Sequence, residues 1–438
     1  MLLYFAISPE GVYQLRALQA SSVTFSFSTS PMYGPERIFE RDFPRSCLIL
    51  CTQIHGFQGV VAMLKAIRGL LTIAVGVGAC TSTMYAANIQ NRSAPAIFVM
   101  TNDAVQNEVL AYQRNYDGSF ALKRRIVTGG RGSGGTTDPL QSQGSLTLSG
   151  NHSLLFAINA GSGTVSSFRL LNGLPVLVDQ KPTGGAFPVA VAEHNRTVYV
   201  LDAGGNGAIV AFRTDGFGHL NQIANSTVTL TATNSGGSSI SVSPDGTRLV
   251  AIEKAPNNID TFPIRPDGTL GPVVVNHSVT PGVFATNFTP DGKLIVSEDQ
   301  PGGTDISSIS SYTINADGTI TAISQSIHTF GDGNCWNAVT PNGKYVYVDN
   351  SATSTVAGFN VGSGGTLAPI AGTILSSGPD GTTNLDLSVS GDGKYLFTLN
   401  SGIGSVGVYS IRSDGTLNDL GDIDGLPKTV GFNGIAAL

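Results

Sequence analysis

Seven acidic or amide side chains recur at one place along this chain: Asn102, Asn159, Asp202, Glu253, Glu298, Asn350 and Asn400. Each closes a short apolar run, as in LLFAIN, TVYVLD, RLVAIE and KLIVSE. The three acids, Asp202, Glu253 and Glu298, are consecutive in the series. They have the chemistry of a site for a divalent cation, Ca²⁺ or Mg²⁺, because hard cations take oxygen ligands. Glu253 and Glu298 also have the chemistry of general bases. A competing reading is structural: Asn and Asp commonly close turns by accepting hydrogen bonds from nearby backbone N–H groups. Glu does this less well, so the two readings stay open for Glu253 and Glu298.

The elements that position these residues form a repeat. Copies such as SVSPDGTRLVAIE from Ser241 and SVSGDGKYLFTLN from Ser388 each place a Gly-containing turn between two apolar stretches. The first-turn positions are Asn151, Asn195, Asp245, Asp291, Asn342 and Asp392, spaced 44 to 51 residues apart. Second turns follow at Asp117, Asn172, Asp215, Asp267, Asp317, Gly364 and Asp414. A unit of this length with four short strands predicts an all-β, seven-bladed β-propeller over 95–438. Seven second turns but six first turns leave one strand missing from blade 1. The tail GFNGIAAL, Gly431 to Leu438, is expected to supply it and close the ring without an open edge. Asp-Gly and Asn-Gly suit such turns because both central residues tolerate positive φ.

In this register the two turns of each blade share one face. The loops after the second strands and the connections between blades share the other, where a site is expected. His152, His194 and His219, with Arg196, Arg213, Arg248, Arg265 and Arg412, then fall on turns or outer strands away from it. His328, Cys335 and Trp336 share one blade connection, and His328 is a candidate catalytic group. Trp336 is suited to stack on a sugar or planar ligand, or to fill space between blades. No catalytic cysteine motif surrounds Cys335. Arg131, in a glycine-rich connection, could pair with a carboxylate. Asn102, Arg131, Asn159, Asp202, Trp336, Asn350 and Asn400 complete the candidate ligand-binding set.

Composition agrees with many short buried strands: 55 glycines, 41 % hydrophobic and 12 % charged residues in a chain of 438. A net charge of −6 gives no reason to expect a nucleic-acid partner. Residues 1–62 carry no repeat and read as a non-globular extension from an over-extended start. Residues 63–87 then read as a secretory signal peptide, with Lys65 and Arg68 before the apolar run Gly69 to Ala79. That run is short for a stable membrane span of about 20 residues. Asn-X-Ser/Thr triplets at Asn91, Asn151, Asn195, Asn225, Asn276 and Asn287 fit a secreted, extracellular glycoprotein. Only Cys335 of the four cysteines lies in the propeller, which excludes an internal disulfide there. A monomer is expected.

The SPDG turns and the later Asp-Gly-Thr-Leu turns, Asp267 to Leu270 and Asp414 to Leu417, resemble the seven-bladed lactonase family. That family includes 6-phosphogluconolactonases and fungal 3-carboxymuconate cyclase-like enzymes, and the chain looks like its secreted fungal type. The resemblance implies a small-molecule lactone or sugar acid as substrate, formed or hydrolysed at the channel mouth. It also implies a His-Pro-His-like segment where this chain has Phe187 and Pro188. Where the family's Pro-Arg-His would stand, this chain has Ser238 and Ser239, while the following Glu is kept as Glu253. A lactonase-like enzyme and a non-catalytic extracellular binder of glycan, cell wall or protein are both compatible with this pattern.

Overall fold

The computed structural model describes residues 3–7, 13–17, 96–300, 303–428 and 431–438. The chain divides into two units, Met1–Ala86 and Ala87–Leu438. In the first, Leu3–Ile7 and Tyr13–Ala17 pair as an antiparallel hairpin, where no strand period is evident in the sequence. The proposed leader at 63–87 and Asn91 lie outside the described residues.

The second unit is a seven-bladed propeller built from antiparallel sheets. Its inner strands are Leu146–Leu148, Pro188–His194, Gly237–Val242, Val283–Phe288, Asn334–Val339 and Asn384–Val389 in blades 2 to 7. Blade 1 takes its inner strand from the C-terminus: Ile435–Ala437 pairs with Ala96–Met100. The ring thus closes as the turn count predicts. Blade 4 has three full strands, and isolated bridges such as Thr261 with Val274 stand in for its fourth. No helix among the described residues is long and apolar enough to cross a membrane.

The second strand of each blade is buried almost throughout, which explains its unbroken apolar sequence. The third strand of every blade carries one buried aromatic: Tyr112, Phe168, Phe212, Phe262, Tyr312, Phe359 and Tyr409. Each such burial is worth about 1.5–3 kcal/mol.

The turns differ from expectation in one respect. At Asp-Gly turns such as Asp245-Gly246 and Asp267-Gly268 only the Gly takes positive φ, +70° and +90°, whereas at Asn172-Gly173 both residues do, 53° and 74°. The Asp instead folds the turn with its side chain: Asp267 Oδ1 accepts from Thr269 N at 2.9 Å and Thr269 Oγ1 at 2.7 Å. Asp117, Asp317 and Asp414 repeat this pattern with Ser119, Thr319 and Thr416. The residue two after the Asp is therefore part of the signal.

Inner-strand pairing is bulged at the same end in blades 3 to 7, between Pro188 and Ala190, Gly237 and Ser239, Val283 and Ala285, Asn334 and Trp336, and Asn384 and Leu387. The last bulge is widest and leaves Leu385 and Asp386 outside the ladder. Bulges re-aim side chains, and this one bears on the site.

Candidate functional site

The series of Asn, Asp and Glu forms a ring, and every member is buried. Six of the seven side chains bond to the segment arriving from the preceding blade, and Glu298 does not. Thr128 Oγ1 donates to Asn159 Oδ1 at 2.6 Å, and Thr183 Oγ1 donates to Asp202 Oδ1 at 2.7 Å. Thr231 donates through N and Oγ1 to Glu253 Oε1, both at 2.7 Å, and Ala232 N donates to Oε2. Asn350 Nδ2 donates to the Thr329 carbonyl and Asn400 Nδ2 to the Ser377 carbonyl. Asn102 Nδ2 reaches the Gly431 carbonyl, which joins the chain's end to blade 1. In Glu298, Oε2 accepts from Ser308 Oγ of its own blade, and the Thr280 hydroxyl opposes the rise of its pKa. Six members of the ring are thus inter-blade clamps, and Glu298 is held within its own blade.

Burial sets the ionisation of its acids. It raises Asp202 to about 7 and Glu298 to about 7. Burial also opposes ionisation of Glu253, but hydrogen bonds from Asp260, Thr231 and Ser235 outweigh it and lower the pKa. Burial and the hydrogen bond and charge of Glu253 push Asp260 to about 8. Among the described residues no three His, Cys, Asp or Glu side chains gather around a common point, so Asp202, Glu253 and Glu298 are not brought together as a cation cage.

The other candidates are dispersed. His328 is exposed at the end of the outer strand Ile320–His328. Arg131 is exposed on its loop, its backbone N–H bonded to Ser162 Oγ. Trp336 is 1 % exposed, edge-on to Phe284, and its Nε1 donates to the Ser142 carbonyl at 2.9 Å. It fills space between strands and presents no free face. Burial raises the Cys335 thiol well above its ordinary value.

The connection between blades 1 and 2 crosses the channel. Its Asp138 Oδ1 accepts from Asn433 Nδ2 at 2.9 Å. Lys254 Nζ of blade 4 donates to the Gln141 carbonyl at 2.9 Å. Ser142 Oγ donates to the Val189 carbonyl of blade 3, and Gln143 N to the Ser238 carbonyl of blade 4. Gln143 Nε2 reaches across to the Asn337 carbonyl of blade 6 at 2.8 Å. Burial raises Asp138 to about 6, with the Lys254 charge opposing it. This strap covers the face where the sequence suggests a site.

Below the strap lies a channel cavity of about 440 Å³. At the strap end its lining is closed in: Ser239, Asn337 and Asp386 are 1 %, 0 % and 2 % exposed. Toward the first turns its lining becomes accessible, at Leu148, His152, Glu193, Pro244, Phe288 and Val389. The cavity therefore opens on the face opposite to the expected one, and His152, set aside in the sequence, stands at its rim. Ser239, Ser241, Thr286, Asn287 and Ser388 give it a hydroxyl and amide wall, and among the described residues no Lys or Arg lines it.

Asp386 lies at the closed end. The wide bulge holds it at φ 136°, a region disfavoured for a side-chain residue. Its Oδ1 accepts from Leu387 N at 2.9 Å and its Oδ2 from Ile435 N at 3.2 Å. Burial raises its pKa to about 8 against those bonds. Sequence reading missed this residue. The available signal is position: six residues before the first turn, where blade 7 has Asp386, the other blades carry Ser145, Val189, Ser239, Ala285 and Trp336.

Residues 184–425 match the family model of the seven-bladed β-propeller lactonases. The chain belongs to that family. No curated protein matches this lactonase propeller. Among solved structures it is similar to a candidate 6-phosphogluconolactonase from Bacteroides uniformis, 19 % identical, over 79 % of this chain and 100 % of that one, with a TM-score of 0.59. A periplasmic gluconolactonase from Pseudomonas aeruginosa is 16 % identical over 78 % of this chain and 99 % of that one, with a TM-score of 0.60. At these identities the likeness is one of fold. Where the resemblance implies His and Arg, the lactonase propeller has Ser238, bonded to the Phe284 carbonyl, and Ser239, which lines the cavity.

Proposed function

We propose that this lactonase propeller hydrolyses a small uncharged lactone of the sugar-lactone type inside the channel cavity, with Asp386 as general base. The observation that carries this reading is a polar cavity holding one deeply buried carboxyl and, among the described residues, no lining Lys or Arg. A phosphorylated or polycarboxylate lactone needs cationic groups to offset its charge on entering a site. A neutral polyol ring needs hydroxyls and amides, which Ser239, Ser241, Thr286 and Asn287 provide. The names of the gluconolactonase and 6-phosphogluconolactonase structures support lactone chemistry, and the cavity lining favours the unphosphorylated member.

The step balances without a further reactant. Water beside Asp386 attacks the carbonyl carbon, and the Asp386 carboxylate takes its proton. The ring C–O bond breaks, and the departing alkoxide recovers that proton to give the hydroxy acid. A base with a pKa near 8 is matched to work close to neutrality. The leader-like segment and the Asn-X-Ser/Thr triplets support an extracellular setting.

The test is a pH-stat assay of a neutral aldonolactone beside its 6-phosphorylated form, each corrected for spontaneous hydrolysis. The neutral lactone is expected to show at least a tenfold higher kcat/KM, and Asp386→Asn to abolish the difference from blank. Turnover of neither lactone would sink the enzyme reading and favour a binding propeller.

A further inference from the structure

Five of the six Asn-X-Ser/Thr triplets fall on described residues, and the fold divides them into two groups. Asn151 and Asn195 sit on the first turns of blades 2 and 3, and Asn225 sits beyond the outer strand Leu220–Gln222 of blade 3. All three are exposed. Asn151 uses its amide oxygen to hold its turn, accepting from Ser153 N at 3.0 Å, and its amide nitrogen is left over. Asn195 and Asn225 take positive φ, 52° and 57°, on exposed turns.

The other two triplets are built inward. Asn276 Nδ2 donates to the Val274 and Gly318 carbonyls, both at 3.2 Å, and its Oδ1 accepts from Ile320 N at 3.1 Å. This side chain ties the bridged outer segment of blade 4 to the second turn of blade 5. Asn287 lines the channel, and its Nδ2 donates to the Asn337 carbonyl at 2.8 Å. A sugar on either nitrogen would have to occupy space that the folded ring already fills.

We propose that Asn151, Asn195 and Asn225 carry N-linked glycans and that Asn276 and Asn287 stay bare. In each transfer the Asn amide nitrogen attacks the anomeric carbon of a lipid-linked oligosaccharide diphosphate. An N–C bond forms, the anomeric C–O bond breaks, the lipid diphosphate leaves, and the amide gives up one proton. Asn151 and Asn195 adjoin His152 and Glu193, which line the open end of the cavity. Two glycans therefore flank the open end of the cavity. This inference stands apart from the lactone reading, because it concerns the surface and not the chemistry.

The experiment places a host secretion leader before the full chain in a eukaryotic host, so the result does not depend on the chain's own leader. The secreted protein is treated with an amidase that converts glycosylated Asn to Asp in ¹⁸O water, and its peptides are mapped by mass. Label is expected at Asn151, Asn195 and Asn225, with Asn276 and Asn287 unlabelled. Asn195→Asp and Asn225→Asp, which keep a residue that tolerates positive φ, each remove one glycan's mass. Label at Asn276 or Asn287 in folded protein, or an unlabelled Asn at any of the other three, overturns the proposal.

Discussion

Gln143 Nε2 lies 2.8 Å from the carbonyl oxygen of Asn337, joining blade 2 to blade 6 across the channel. The same Nε2 is 3.5 Å from Asp386 Oδ1. One amide thus fixes the strap and faces the carboxyl assigned as the base. The closed end of the cavity is therefore built from the strap and from blades 6 and 7, which lie 194 and 243 residues further along the chain.

Activity should follow the ionisation of Asp386. Only its carboxylate can accept a proton, so kcat is expected to rise with pH through about 8, where burial places that group. Asp386→Asn is expected to lower kcat by about 10² to 10⁴, the usual range for a general base, with little change in KM. A flat pH profile for the native enzyme would argue against the assignment.

Stability should fall as pH rises. Asp202, Glu298 and Asp260 have folded values near 7, 7 and 8. Unfolded carboxyls titrate near 4. Because the folded values are raised, their contribution is complete below about pH 4 and is lost as pH climbs through the folded values. Asp260→Asn keeps a donor toward Glu253 and removes one such group. Melting curves from pH 5 to 9 should show a shallower decline for this variant, and an unchanged decline would contradict the raised value.

Removing Gly431 to Leu438 should open the ring. Ile435, Ala436 and Ala437 are buried, and their loss bares the edge of Ala96–Met100. Unpaired edges of this kind aggregate. Light scattering after mild heating should rise well above that of the intact chain, whereas monodisperse truncated protein would show that closure matters little.

Trp336→Phe should cost about 1–3 kcal/mol, since it leaves the buried Ser142 carbonyl without its donor. Urea unfolding followed by circular dichroism measures this. That bond is one of several that hold the strap, so the variant should also accept protease cleavage near Asp138 more readily than the native protein.

Much of the fold is legible from residue order. The Gly turns, the apolar second strands and the count of seven second turns against six first turns determine the blade number and the closing tail. The seven ring positions are legible too, because Asn102 through Asn400 recur in register. What they do is not, since the hydroxyls they meet, such as Thr128, Thr183 and Thr231, belong to the segment arriving from the neighbouring blade.

The sequence by itself therefore determined the propeller, its closure and the lactonase resemblance, because these rest on local turn chemistry and a fixed period. Only the tertiary structure decided which face is open. The strap that covers one mouth joins residues nearly two hundred positions apart, Gln143 and Asn337. It also decided which acid lines the cavity, because a two-residue bulge, and not any motif, turns Asp386 inward. Long-range packing sets both outcomes, and neither leaves a periodic trace in the chain.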